Sequence, residues 1–370
     1  MLKPGAGGGE TEQPSPAGWW QPELKVPEVL LSESVKRLHA SIEEEWDSVE
    51  RTACQTAASR ALWKHVIHDP LAEILAGEKH LRSSHGKMMA DRLNNAREIS
   101  GVMLAVRTLW FDSKLEAAVE SLRAFGEAET QVVLLGAGMD ARAYRLKCLK
   151  DSSVFEVDSQ KLIRMKADLL NAAAAAAEQE GSFWPEVRLE AKSLTRVGTD
   201  IREVDWLETL QRHGFSLQKG TVWVLEGILY YLREPHAMHV LRCIAANCCV
   251  APTVLLADFM NQHSTSLSRS AFHFYSDWPE ELLPSLGFSA ATLSQIGDPD
   301  ADFGLVTDPS NLFNRLRRVP RTAETDPEDG TPCRRLYLVH ATGSPTTSPH
   351  ARTHDGSSST SSSSSTSSSP

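Results

Sequence analysis

The chain has 370 residues and a formal net charge of −10. This acidic balance, with no basic stripe interleaved with aromatic side chains, argues against a nucleic-acid partner. No run of 18 apolar residues occurs, so no membrane span is predicted. The six cysteines lack metal-ligand spacing, which predicts no metal site and fits a reducing, cytoplasmic compartment.

The two ends of the chain differ in composition from the rest. Residues 1–17 are rich in Gly, Pro and Glu, and residues 344–370 are rich in Ser and Thr. Such segments have little apolar area to bury against the entropy of ordering, so both are predicted to be disordered. The residues between them, 18–343, suffice for one large α/β domain with an added helical region.

Helices are predicted first in chain order. Apolar side chains recur at three- and four-residue spacings over residues 35–76, which predicts helical structure. A second helical stretch is predicted over 88–110 and a third over 115–125. The region from about 35 to 125 is therefore expected to be helical.

Beyond residue 125 the pattern changes to strands that alternate with helices. This alternation predicts a parallel sheet with right-handed crossovers. A further helix is predicted within 272–288, started by Asp277 with Pro279 in its first turn. The predicted strands are 131–135, 153–157, 186–191, 221–225, 253–258 and 335–340, and the helices between them are 159–179, 202–213 and 235–249.

The first two predicted strands carry the strongest functional signal. An apolar run ends in Gly136-Ala137-Gly138, and the next strand ends in Asp158, 20 residues beyond Gly138. A glycine turn lets a ligand approach backbone N–H groups, and a carboxylate after the next strand can accept hydrogen bonds from both ribose hydroxyls. Glu156 points to the same face but lies deeper, so Asp158 is the preferred ribose ligand.

The third glycine of a dinucleotide fingerprint is missing, and Arg142 stands near its place. Its absence argues against a bound pyrophosphate and hence against an NAD-dependent oxidoreductase. A ligand with ribose and adenine but no phosphate fits better, and S-adenosylmethionine is such a ligand. Asp140 is predicted either to orient this loop or to cap the following helix.

Four segments, taken together, resemble one enzyme family. The segment LLGAGMDARAYRL (134–146) followed by VFEVD (154–158) resembles the leucine carboxyl methyltransferase family of S-adenosylmethionine-dependent enzymes. Further similar segments are TAASRALWKHVIHDPLAEIL (56–75), AVRTLWFD (105–112) and VWVLEGILYYL (222–232). The resemblance runs from about Thr52 to about Gly343. It implies a Rossmann-like class I methyltransferase sheet, mostly parallel with an antiparallel last strand, plus an N-terminal helical cap.

The resemblance also implies which residues bind the methyl donor. Arg107 is the candidate for the donor carboxylate, because a planar guanidinium pairs with a carboxylate bidentately. Gly136 and Gly138 are expected to lie against the methionine part, Asp158 at the ribose, and Glu226 at the ammonium group. Arg60, in the first helical motif, is a lesser candidate near the donor carboxylate or the acceptor.

The adenine contact departs from the family pattern. The family usually has Asp-Leu after the third strand, with the acid near the adenine amino group. Aligned by the predicted third strand, Ser193-Leu194 stands there in this chain. A serine hydroxyl can accept a hydrogen bond from the amine, but without charge.

The predicted function is S-adenosylmethionine-dependent O-methylation of a carboxylate or hydroxyl on a small-molecule or peptide acceptor. A carboxylate needs no base, whereas a hydroxyl does, and Tyr230, Tyr231 and His236 are candidates for it, with packing the alternative role for each. Two other functions remain open. One is a non-catalytic binding protein on a retained methyltransferase fold. The other is methylation of the C-terminal leucine of the type 2A protein phosphatase catalytic subunit, disfavoured because the chain lacks the acidic stretch characteristic of those enzymes before the last strand.

Overall fold

The computed structural model describes residues 23–94, 99–126, 129–180, 188–305, 321, 323–325 and 330–345. Residues 1–17 lie outside this range, as do all but the first two residues of 344–370. The disorder predicted for both segments therefore stays a prediction.

The N-terminal part of the described chain is helical. One continuous helix over 88–110 is a wrong prediction, because a helix ends at Leu93 and the next begins only at Val102. Gly101, immediately before that second helix, has a φ of +88°, a conformation that glycine adopts without steric cost. The helices are α1 (Glu33–Glu45), α2 (Thr52–Leu62), α3 (Ala72–Leu93) and α4 (Val102–Ala124).

A seven-stranded sheet follows in the described residues, in the order β3-β2-β1-β4-β5-β7-β6. The strands are β1 (Thr130–Leu135), β2 (Ser152–Asp158), β3 (Ser193–Gly198), β4 (Thr221–Leu225), β5 (Thr253–Met260), β6 (Ala290–Gln295) and β7 (Leu336–Gly343). The helices among them are α5 (Arg142–Arg145), α6 (Gln160–Glu180), α7 (Trp206–Arg212), α8 (Glu234–Asn247) and α9 (Pro279–Leu286).

The sheet is mixed, as the sequence predicts. Strands β1 to β5 pair in parallel, and β7 inserts antiparallel between β5 and β6. The α/β class and the antiparallel last strand are thus confirmed. Strand β6 was not predicted from the sequence, because this half-exposed edge strand, AATLSQ, lacks a clear apolar alternation.

The predicted position of the third strand is wrong. The sequence predicts it at 186–191, whereas β3 runs from Ser193 to Gly198. This strand lies at the other edge of the sheet, and only Val197 within it is buried, so its apolar signal is weak. Its register is fixed by pairing with β2, which places Ser193 beside Ser153 and Gly198 beside Asp158.

The central strands β1, β4 and β5 are buried on both faces, because helices cover the sheet on each side. Alternate side chains of β1 point to opposite faces: Val132 packs in the core that contains α4, and Val133 in the core that contains α8. Among the described residues no helix is both long enough and apolar enough to cross a membrane. The parallel arrangement brings the carboxyl ends of β1 to β4 to one edge, where α2 and α4 lie over them.

Candidate functional site

A cavity of about 550 Å³ opens at this edge of the sheet. Residues after β1, β2, β3 and β4 form its floor, and side chains of α2 and α4 form its cover. Its volume is within the range of roughly 300–1,000 Å³ typical of small-molecule sites. Ligands of open α/β sheets bind at the carboxyl ends of the strands, so this cavity is the candidate active site.

The turn after β1 requires its glycines. Gly136 has a φ of +71° and Gly138 a φ of +48°. A Cβ on Gly136 would lie 2.8 Å from Cγ1 of Ile228, and one on Gly138 would lie 3.3 Å from Cβ of Ala53 in α2. Ile228, after β4, and helix α2 therefore pack directly on the glycine turn, which leaves no space there for a larger side chain.

Asp158 is joined to this turn. One carboxylate oxygen accepts a hydrogen bond from the Gly138 N–H at 2.8 Å, and the other accepts one from the Ser159 N–H at 2.7 Å. Burial raises the pKa of Asp158, although both N–H groups act in the opposite direction. Each oxygen keeps a second lone pair, so the carboxylate remains able to accept hydrogen bonds from a ligand in the cavity.

Arg107 and Glu226 meet at another part of the cavity wall. The Arg107 Nε lies 3.1 Å from Glu226 Oε1, and its Nη1 donates at 3.1 Å to both the Tyr230 hydroxyl and Asp258. Arg107 is only 5% exposed, yet it lines the cavity. A cation and an anion at one place match the two charged groups of an amino acid.

Asp258 contacts two residues of the cavity wall, and the sequence analysis did not identify it. It lies within β5, is fully buried, and accepts hydrogen bonds from Arg107 and, at 2.7 Å, from the Gly227 N–H. Burial raises the pKa of Asp258 to about 6, and the Arg107 charge opposes that rise. The available signal was a carboxylate inside the apolar strand LLADFM, since a buried charge needs a partner.

Arg60 and Asp140 hold the turn in place. Arg60, from α2, donates to the Met139 carbonyl at 2.6 Å and to Asp69 at 2.7 Å, and it lines the cavity. Asp140 accepts a hydrogen bond from the Arg142 N–H at 2.6 Å and also binds the Arg142 guanidinium. Burial alone would raise the pKa of Asp140, but the surrounding cations, Arg142 foremost, lower it to about 2.

Glu156 lies away from the cavity lining. It is fully buried and pairs with Lys166 at 2.8 Å and Arg196 at 2.9 Å. Both of its oxygens are therefore engaged inside the fold, which agrees with the preference for Asp158 at the ligand.

Comparison with known proteins decides the family. The family model described as leucine carboxyl methyltransferase matches residues 51–245, more than half of the chain. The chain belongs to the leucine carboxyl methyltransferase family. The matched region contains α2, α4 and strands β1 to β4, which together build the cavity.

Two relatives illustrate the match. A protein of Mycobacterium avium, provisionally named an S-adenosyl-L-methionine-dependent methyltransferase, is 33% identical over 51% of this chain and 61% of its own length. A protein of Mycobacterium marinum with the same provisional name is 30% identical over 64% of this chain and 75% of its own length. The chain thus matches about three fifths of the Mycobacterium avium protein. Neither name states an acceptor.

The solved structures that match are more distant. A DUF574 family protein from Streptomyces avermitilis has 10% sequence identity and a TM-score of 0.42, with 75% of this chain and 96% of that chain covered.

The predicted adenine contact at Ser193 and Leu194 needs correction. These two residues begin β3, and they are absent from the cavity lining. The Ser193 position is five residues before the carboxyl end of the strand, so it lies about 17 Å from the edge at which ligands bind. The residues that do follow β3 and line the cavity are Thr199, Asp200, Ile201 and Arg202. Asp200-Ile201, an acid followed by an aliphatic residue after β3, is therefore our candidate for the adenine contact.

The three candidate bases differ in position. Tyr230 and Tyr231 line the cavity, whereas His236, near the start of α8, does not. Burial raises the pKa of Tyr230 and of Tyr231, and the Tyr230 hydroxyl already accepts a hydrogen bond from Arg107. His236 thus lies outside the cavity lining, and the Tyr230 hydroxyl contacts Arg107.

The corrected position of β3 gives a direct prediction. Asp200→Ala is expected to weaken binding of S-adenosylhomocysteine by about 1.5–3 kcal/mol if its carboxylate accepts from the adenine amine. Ser193→Ala, the matched control at the amino end of β3, is expected to leave the affinity for S-adenosylhomocysteine unchanged. Calorimetric titration of both variants checks this. If Ser193→Ala alone weakened binding, the adenine contact would be assigned to Ser193 again.

Proposed function

We propose that this chain is an S-adenosylmethionine-dependent O-methyltransferase acting on a carboxylate or hydroxyl of a small-molecule or peptide acceptor. One observation carries the proposal. The Asp158 carboxylate, held by the N–H of the glycine turn, shares one cavity with the Arg107–Glu226 pair. The cavity therefore offers a ribose ligand and a site for an amino-acid group, which are the two polar parts of this donor besides adenine.

The charge of the cavity also fits the donor. The lining has an excess of carboxylates over guanidinium groups, and the donor carries a net positive charge from its sulfonium and ammonium groups. Opposite charges within a few ångströms attract strongly where water is excluded. The carboxylates are Asp47, Glu50, Asp140, Asp158, Asp200 and Glu226, and the guanidinium groups are Arg60, Arg107 and Arg202.

The described residues have separate tasks in this proposal. When bound, S-adenosylmethionine supplies an activated methyl group on its sulfonium sulfur. Arg107 and Glu226 orient the amino-acid end, Asp158 orients the ribose, and α2 lies over the glycine turn and excludes water. Rate enhancement then comes mainly from alignment in a site closed to water.

The acceptor oxygen determines whether a base is needed. A carboxylate acceptor is already deprotonated, so no side chain has to remove a proton. A hydroxyl acceptor requires proton removal, and the Tyr231 side chain, which lines the cavity, is the remaining member of the three predicted candidates. Its raised pKa makes it a poor base at neutral pH, so the carboxylate acceptor is the simpler case.

The first experiment tests donor binding. The purified chain is expected to be stabilised against thermal unfolding by S-adenosylhomocysteine and not by NAD, because only a ligand that binds the folded state raises the melting temperature. Stabilisation by NAD alone would contradict the proposal.

The second experiment tests transfer. Acceptors are supplied as matched pairs, a free carboxylic acid and its amide, with a methyl-labelled donor. Labelled product that mild base hydrolyses to methanol identifies an ester, and base-stable product identifies an ether. Donor binding without transfer to any acceptor would favour the non-catalytic binding protein.

A further inference from the structure

Arg142 occupies the place near which a dinucleotide-binding chain has its third glycine. It is the first residue of α5, directly after the glycine turn, and it is only 2% exposed. It is not among the residues that line the cavity. Because Arg142 does not reach the cavity, it can affect ligand binding only through the residues that it contacts.

The guanidinium of Arg142 holds three carboxylates together. Its Nη2 lies 2.6 Å from Glu226 Oε2 and its Nε lies 2.7 Å from Asp112 Oδ1. Its Nη1 binds Asp140, two residues before this short helix, whose carboxylate also accepts a hydrogen bond from the Arg142 backbone N–H. The side chain therefore connects the glycine turn to the carboxyl end of β4.

Glu226 is held from both sides. Arg107 binds Oε1 at 3.1 Å and Arg142 binds Oε2 at 2.6 Å. With both oxygens engaged, the carboxylate cannot rotate freely about its last bond. Each oxygen still has one lone pair for a further donor, so the group remains able to bind an ammonium in one fixed orientation.

The arginine itself is fixed by its surroundings. Asp112 also accepts two hydrogen bonds from Arg145, at 2.6 and 2.8 Å, which balances the charges around it. Burial alone lowers the pKa of Arg142, but the neighbouring carboxylates raise it well above its ordinary value. The guanidinium therefore stays charged at neutral pH.

We propose that Arg142 is a positioning residue that orients the Glu226 carboxylate toward the ammonium group of the methyl donor. The inference rests on the proposed function. It gives the missing glycine a physical explanation: with no pyrophosphate to accommodate, the position takes a side chain that supports recognition of an amino-acid group.

The test compares two ligands that differ only in that ammonium group. S-adenosylhomocysteine and its analogue lacking the α-amino group are titrated against the full chain and against Arg142→Lys and Arg142→Gln. Lysine keeps a positive charge but cannot bind three carboxylates from a planar fork. Affinity for S-adenosylhomocysteine is expected to fall by about 10- to 100-fold in both variants, and affinity for the analogue by less than about twofold.

Arg145→Lys is the matched control. Arg145 belongs to the same buried ion network and binds Asp112, but no described contact joins it to Glu226. The Arg145→Lys variant is expected to have the same ratio of affinities for S-adenosylhomocysteine and the analogue as the unchanged chain. Thermal unfolding of every variant is recorded beside the titrations, so a loss of stability is measured separately from the ligand preference.

The possible results separate clearly. Equal loss of both affinities in the Arg142 variants would overturn the positioning role and leave the proposed function intact. An equal change of the ratio in Arg145→Lys would assign the effect to the network and not to Arg142. Failure of the unchanged chain to bind S-adenosylhomocysteine would overturn the proposed function, and the inference with it.

Discussion

Asp158→Ala is expected to weaken binding of the methyl donor by about 2–4 kcal/mol, or roughly 30- to 1,000-fold. The variant loses a carboxylate proposed to accept hydrogen bonds from two ribose hydroxyls. It also leaves the Gly138 N–H without its acceptor, which loosens the turn on which the donor lies. Calorimetric titration with S-adenosylhomocysteine measures the effect.

Two further variants make this test specific. Asp158→Asn keeps one carbonyl oxygen as an acceptor and is expected to fall between the alanine variant and the unchanged chain. Asp168→Ala removes an exposed carboxylate from α6 and should leave affinity unaltered. If Asp158→Ala folds and binds the donor normally, the ribose site lies elsewhere. Glu156 is then a poor substitute, because both its oxygens pair inside the fold.

Arg107→Met is expected to lower the free energy of unfolding by about 3–5 kcal/mol at neutral pH, the cost of removing one partner from a buried ion pair. Asp258 is fully buried and loses its only ion-pair partner among the described residues, while Glu226 keeps Arg142. Donor binding should be lost as well, because the donor carboxylate has no cation to replace Arg107. Chemical denaturation measures the stability and titration measures the binding.

The loss in free energy of unfolding caused by Arg107→Met should depend on pH. Burial already raises the pKa of Asp258 to about 6 in the folded protein, against an ordinary value of 3.8. A carboxyl whose pKa is raised on folding favours the folded state at low pH, and this contribution is lost as pH rises through the folded pKa. Without the Arg107 charge the folded pKa rises further, so the variant should lose more stability than the unchanged chain as pH increases above about 6.

Measurements at pH 5 and pH 8 test this dependence. The deficit of Arg107→Met should be small at pH 5 and large at pH 8, and Arg107→Lys should show a smaller deficit at pH 8. Arg212→Met, which breaks a 3.8 Å surface ion pair with Asp205, serves as the control and should change little. A deficit of equal size at both pH values would show that Asp258 is not the group left unpaired.

Much of the candidate site could be predicted from local sequence signals. The glycine turn, Asp158 and Glu226 all follow apolar strands, and the carboxyl ends of parallel strands meet at one edge of a sheet. Arg107 was identified through the family resemblance. The structure places all of these residues around one cavity.

The sheet was predicted least well at its edges. Strands β1, β2, β4, β5 and β7 are inner strands with apolar runs, because helices cover the faces of the sheet there, and their positions are predicted to within a few residues. Strands β3 and β6 are edge strands with half-exposed faces, so their sequences carry little pattern. The misplaced β3 directly caused the wrong adenine assignment at Ser193.

By itself, then, the sequence determined the fold class, the family and the residues that follow the central strands, because these depend on short-range patterns. Only the tertiary structure decided the register of β3, and with it that Asp200 and not Ser193 reaches the cavity. It also decided the partners of the buried charges. Arg142 meets Glu226 84 residues away, and Arg107 meets Asp258 151 residues away. A charged residue within an apolar segment is expected to need an oppositely charged partner. Only the folded structure shows which residue that partner is.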